Sequence, residues 1–252
     1  MAGADPFHHD GHGACADVGV LLVHGITATP QMVRPVAEHL AGLGYAVSAP
    51  LLPGHGTSWQ LMGRTRYADW LAAVEGAAAD LARGRRRVVA FGVSLGGALV
   101  CDLAQLRPDL IDGLVLVNPA FAAKDWRLTA MPLLKHVLPR MPGLADDIRR
   151  EGPPRELAYT HLPLKAFHSF IQQWPRLVAG LPRVHVPVLL ARSAHDHVVP
   201  ARSSEVFLQH VGSSDVTQLW LHESAHVATL DHDAELLQQA TAEFVARVGA
   251  AA

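Results

Sequence analysis

Ser94 stands in Gly92-Val93-Ser94-Leu95-Gly96-Gly97, after an apolar run at 88–93 and before an amphipathic stretch that starts at Leu95. A serine between a strand and a helix, with glycines two residues to either side, is the pattern of a strained nucleophile elbow. The strain lifts the hydroxyl clear of the chain, and the glycines permit the close backbone approach it requires. The helix that opens at Leu95 directs its positive dipole end toward developing negative charge. The chemistry implied is acyl transfer through a covalent serine intermediate.

Such a serine needs a base, and the base needs an acid to orient it and to stabilise its charged form. With an elbow of this kind the chain order is serine, then Asp or Glu, then His. Asp196 follows the apolar run 186–191 in Ser193-Ala194-His195-Asp196-His197, and His226 follows the run 216–221. Catalytic groups of parallel sheets collect at C-terminal strand ends. Ser94, Asp196 and His226 are therefore the expected catalytic triad. Among the 16 histidines, His222 sits at a strand end and is expected to pack, and His195 and His197 to flank the acid. His55 is expected in a loop near the pocket. The oxyanion is expected to rest on the backbone N–H groups of Leu95 and of Ile26, in the loop His24-Gly25-Ile26-Thr27. His24 itself is read as structural.

His222-Glu223-Ser224-Ala225-His226 matches H-E-x-x-H, a zinc-hydrolase signature. That motif needs a helix to bring two histidines to one face. The residues before it read as a buried strand, so no metal site is expected.

The elements that must position these groups alternate. Apolar runs at 18–24, 46–50, 88–93, 114–117, 186–191 and 216–221 read as strands of a parallel sheet buried on both faces. Helical stretches lie at 67–82, 95–106, 201–211 and 233–248. Another opens at Thr29-Pro30, where the hydroxyl should cap it, and runs to about Leu43. The fold class is α/β, a mostly parallel doubly wound sheet. Residues 18–118 and 183–252 form its core. Residues 119–182 show no strand signal yet hold nine of the 17 prolines, so they read as a small inserted helical cap. Residues 1–17 read as a flexible tail.

The composition is globular: half of the 252 residues are apolar and 17% are charged. A net charge of -2 gives no argument for nucleic acid. No run is long enough to span a membrane and no signal-peptide core is seen, so a cytoplasmic protein is expected. Cys15 and Cys101 are expected to be free thiols. Oligomeric state does not follow from the sequence.

Five segments in this order resemble the bacterial monoacylglycerol lipases and related carboxylesterases of the α/β-hydrolase superfamily. They are His24-Gly25-Ile26-Thr27, Gly54-His55-Gly56-Thr57, the Ser94 elbow, Asp196-His197-Val198-Val199-Pro200 and His226-Val227-Ala228-Thr229-Leu230-Asp231. The resemblance covers about 18–248. It departs from the family at Ile26, usually Phe, and at Ala28, usually Gly. It implies ester hydrolysis without a cofactor, under a mobile cap over an acyl tunnel, and assigns the triad and oxyanion donors to the residues already singled out. In the cap the best match is Glu156-Leu157-Ala158-Tyr159. Glu156 is the expected acceptor for glycerol hydroxyls, against the plainer reading of a surface carboxylate paired with Arg155 or another arginine. A broad short-chain carboxylesterase is the alternative. A thioesterase, a metallohydrolase and a non-catalytic binding module are more distant ones.

Overall fold

The computed structural model describes residues 1–122 and 126–251, without the side chains of 126–129. Its centre is a seven-stranded sheet in the order β1-β3-β2-β4-β5-β8-β9. The strands are β1 (Phe7–His9), β2 (Val18–Val23), β3 (Ala46–Ala49), β4 (Arg87–Val93), β5 (Gly113–Val117), β8 (Val188–Ser193) and β9 (Val216–Leu221). All pairs are parallel except β1 with β3. The expected class, a mostly parallel doubly wound α/β sheet, is the one found.

Alternation along the central strands builds two cores, because successive side chains leave opposite faces. Leu21, Val23, Ala90, Leu114, Leu116 and Leu190 face one core, with α3 (Tyr67–Ala82) and α4 (Leu95–Leu106) packed on it. Val20, Leu22, Val89, Phe91, Val115 and Val117 face the other, under α1 (Arg34–Gly42) and α9 (Ala234–Ala250). The remaining core helices are the short α2 (Trp59–Met62) and α8 (Arg202–His210).

Four details differ from the sequence reading. The expected tail, 1–17, adds the antiparallel edge strand β1, and the Met1 amino group donates to Gly56 C=O at 2.5 Å. β9, expected to be buried on both faces, is an edge strand with only Leu221 fully buried. Thr29 caps no helix: its hydroxyl donates to Leu157 C=O at 3.1 Å, and a 3-10 turn at Pro30–Met32 intervenes before α1. The strandless segment 119–182 holds a two-stranded ribbon, β6 (Arg140–Pro142) with antiparallel β7 (His161–Pro163).

That ribbon belongs to the stretch between β5 and β8, here the cap segment, which also carries α5 (Trp126–Val137), α6 (Leu164–Ile171) and α7 (Trp174–Gly180). Arg176 of α7 grips the fully buried Asp102 of α4 with both guanidinium nitrogens, at 2.9 and 2.6 Å. The Tyr67 hydroxyl donates to the same carboxylate at 2.9 Å. No helix among the described residues is long and apolar enough to cross a membrane.

Candidate active site

Ser94 occupies the turn between β4 and α4 with φ 55° and ψ -115°, a backbone conformation that costs a side-chain-bearing residue about 1–3 kcal/mol. The surrounding structure holds it there. Ser94 N–H donates to Val117 C=O at 3.0 Å, and its own C=O accepts from Ala98 and Ala120. The flanking glycines are sterically required. A Cβ on Gly92 would lie 2.4 Å from the Gly96 backbone, and one on Gly96 would lie 2.1 Å from Val23 O.

Asp196 lies just beyond β8, and His226 beyond β9. His226 Nδ1 donates to Asp196 Oδ2 at 2.8 Å, and both side chains are nearly buried. The other Asp196 oxygen accepts from the N–H groups of Val198 and Val199, each at 2.8 Å. Burial alone would favour neutral His226. The carboxylates of Asp196, Glu156 and Asp147 outweigh it and hold its pKa above the ordinary histidine value. Such surroundings stabilise the charged form of the imidazole, as the expected role of His226 would require. No hydrogen bond joins Ser94 Oγ to the imidazole among the described residues. Such bonds commonly tighten only when substrate is present.

The two expected oxyanion donors lie beside the serine. Leu95 is the first residue of α4, so its N–H has no partner within the helix. Ile26 and Ser94 line one cavity. The loop that carries Ile26 is fixed by His24, whose Nδ1 donates to Gly25 C=O at 2.9 Å while Nε2 accepts from Leu52 N–H at 3.2 Å. Burial lowers the His24 pKa to about 4, which keeps the neutral tautomer this arrangement needs. His55 packs edge-on against both His24 and Trp70. Its pKa falls to about 3, first by burial and then by His24.

The cavity measures about 420 Å³. Ser94, Asp196, Ile26 and Ala120 line it together with Met131, Met141, Leu144, Leu162, Phe167, Phe170 and Trp174 of the cap segment. Its lining is mainly apolar and includes Ser94 and Asp196.

The remaining sequence candidates separate. His222 is exposed and stacks on Trp220, while Glu223 bonds Arg149; the H-E-x-x-H residues run from strand end into loop, with no helix to converge them. His195 is exposed. Glu156 is not the surface partner of Arg155, which pairs with Asp146 instead. Glu156 Oε2 accepts from Asp146 N–H at 2.6 Å. Burial pushes its carboxyl up to about 7, although Asp146 N–H and His226 pull the other way.

Two site residues were missed in the sequence. Asn118, at the end of β5 with φ 45°, donates to His226 C=O and to Ser193 Oγ, both at 2.9 Å. Its place just past an apolar strand was a usable signal. Asp231 is buried and accepts from the N–H groups of Ala225, Arg149, Arg150 and His232 at 2.8–2.9 Å. It lies inside the motif that begins at His226, but nothing local announces its partners.

Comparison with known proteins gives the family. A model of the serine aminopeptidase S33 family, Hydrolase_4, matches residues 14–233. A thermostable monoacylglycerol lipase of Bacillus sp. (strain H-257) is 35% identical over 249 residues, 98% of this chain and 96% of that protein. A carboxylesterase of Bacillus subtilis (strain 168) is 27% identical over 236 residues, 92% of this chain and 94% of that one. A solved structure from work on LipS and LipT, two metagenome-derived lipolytic enzymes, superposes with a TM-score of 0.92 at 35% identity, covering 98% of this chain and 99% of its own.

Proposed function

This chain belongs to the serine aminopeptidase S33 (Hydrolase_4) family of α/β-hydrolases, and on that footing we propose that it hydrolyses monoacylglycerols or similar medium- and long-chain esters through Ser94, Asp196 and His226. It is a hydrolase of the lipase and esterase type. The observation that carries the finer reading is the largely apolar chamber lined in part by Ser94 and Asp196, together with the His226–Asp196 bond.

Ser94 Oγ attacks the ester carbonyl while His226 Nε2 takes its proton. The oxyanion accepts hydrogen bonds from Ile26 N–H and Leu95 N–H. His226 then protonates the departing alcohol, and water repeats the sequence to free the acid and restore Ser94. The reaction needs no cofactor, and the partner is a small ester. The free thiols Cys15 and Cys101 suit a cytoplasmic setting.

Glu156 is the group assigned to the glycerol hydroxyls. The leaving alcohol departs toward His226, so its remaining hydroxyls must be read on that side of the triad and not in the acyl chamber. Glu156 is close enough for His226 to act on its pKa, and it is engaged by a backbone N–H and not by an arginine.

A panel of monoacylglycerols and aryl esters of graded chain length tests the reading. Each methylene that enters the chamber should add up to about 0.8 kcal/mol to transition-state binding. A profile that falls beyond acetyl and butyryl esters would replace it with a short-chain carboxylesterase. A fluorophosphonate should label Ser94 alone and abolish activity. Labelling elsewhere, or none, would remove the serine mechanism.

A further inference from the structure

The catalytic acid and base sit on separate core loops, after β8 and after β9, yet both loops are held by one side chain of the cap segment. Asp147 Oδ2 accepts from the backbone N–H of His226 at 3.1 Å and of His197 at 3.0 Å. Asp147 Oδ1 meets His197 Nδ1 at 2.8 Å. Its own carbonyl accepts from Val227 N–H at 3.1 Å. Three backbone groups flank the imidazole: His226 N–H, His226 C=O and Val227 N–H. Asp147 takes the first and third, and Asn118 of the core takes the second. His197 adjoins Asp196 in the chain, so the same carboxylate also fixes the acid's loop.

The docking is reciprocal. Asp231, five residues after the base, accepts from Arg149 and Arg150 N–H of the cap segment and from Ala225 N–H of the base loop. Residues 147–150 are thus laced to the loop of His226 by one carboxylate from each side. A carboxylate suits the position because it accepts several donors at once. An unmet backbone N–H would be costly so close to a buried imidazole.

We propose that Asp147 is a positioning residue of this reaction: supplied by the cap segment, it aligns the acid-bearing and base-bearing loops, so that seating of the cap and alignment of the triad are a single event. This rests on the triad reading above. It adds that a residue touching no part of the substrate sets the geometry on which Ser94 activation depends.

The measurement is steady-state kinetics on a short aryl ester, which does not reach the cap walls, together with the rate of Ser94 labelling by a small fluorophosphonate. Asp147→Ala should lower kcat and the labelling rate together by roughly 10- to 100-fold, the scale of small misplacements at a reacting centre. KM should change by less than about 3-fold. Asp147→Asn keeps one carbonyl oxygen for the two backbone donors and should recover most of kcat. It removes a negative charge that favours the imidazolium, so the acid limb of its kcat/KM profile should move to lower pH. The titratable groups facing Asp147 are His197 and His226 from the core loops and Asp146 and Glu156 from the cap segment. Because Glu156 titrates in the same region, the profile is read in the Glu156→Gln background as well.

If Asp147→Ala lowers the melting temperature or raises KM but leaves kcat and labelling at the wild-type level, Asp147 merely anchors the cap and the proposal falls. If Asp147→Ala does not fold, an unmoved acid limb in Asp147→Asn overturns it equally. Failure of the triad reading is separate, because the wild-type protein would then not be labelled at Ser94.

Discussion

Ser94, Asp196 and His226 differ in what each can tolerate. Asp196 accepts from His226 with one oxygen and from two backbone N–H groups with the other. Asp196→Asn should therefore keep the fold while presenting an amide to the imidazole and selecting the wrong tautomer. Turnover should drop by a factor on the order of 10⁴, read as kcat on any ester. His226→Ala should be at least as damaging, whereas His222→Ala, which unstacks an exposed ring from Trp220, should leave kcat near wild type. Equal losses in the two histidine variants, at equal stability, would refute His226 as the base. At Glu156 the expected effect depends on substrate. Glu156→Leu should cost monoacylglycerol hydrolysis about 1.5–3 kcal/mol, the scale of a hydrogen bond to a charged group, and leave aryl esters little changed. Its carboxyl titrates at about 7, so it is mostly neutral below that pH and mostly ionised above it. The preference for monoacylglycerol over aryl ester should accordingly rise as pH passes upward through that value. A preference flat with pH would detach Glu156 from the alcohol.

At the scale of elements, the elbow works because β2, β4 and α4 approach one another more closely than side chains allow. The contrast between two glycines tests this. A Cβ on Gly96 would lie 2.1 Å from Val23 O, a backbone atom that cannot swing aside. Gly96→Ala should destabilise the protein by about 3 kcal/mol or more, or prevent folding. Gly76 lies exposed in α3, where an added Cβ meets nothing within 4 Å. Gly76→Ala should stabilise by about 0.5–1 kcal/mol through helix propensity. Denaturant unfolding of both variants, with unchanged m-values, is the check. The strand ends show the same economy: Asn118 follows β5, Asp196 follows β8 and His226 follows β9.

For the whole molecule, the question is how the cap segment stays on the core. The Asp102 carboxylate is fully buried and held by Arg176 of α7 and Tyr67 of α3. The Tyr67 ring stacks on Phe170 of α6, which also lines the chamber. Arg176→Ala should cost about 2–4 kcal/mol. The charge left behind on Asp102 is buried, but the arginine is itself partly exposed, which reduces its contribution. Hydrogen exchange should quicken in α6 and α7 more than in β4 and β5. Uniform quickening would show that the pair stabilises the fold as a unit and does not fasten the cap in particular.

The main strands and helices of the core were legible in the sequence because they depend on local physics, and so were the residues proposed as serine, acid and base. Alternating apolar runs report burial, and the glycines around Ser94 report a turn that admits no Cβ. α3 and α4 begin and end where their periodicity says they should. Polar or proline-bearing elements were not legible. β1 is a three-residue strand containing two histidines, and β6 and β7 each contain proline. Pairing with a distant partner makes them strands, and no local signal carries that. Thr29 looks like a helix cap by its neighbours, but Leu157, 128 residues away, takes its hydroxyl. From its neighbours Glu156 reads equally as a site residue or as a surface partner for an arginine, and only its burial near His226 separates the two. Asp147 shows nothing in its own segment, because its donors belong to loops 50 and 79 residues further along. Sequence alone determined which residues could do the chemistry. The tertiary structure decided what holds them in place, because hydrogen bonds between distant loops exist only once both loops are packed.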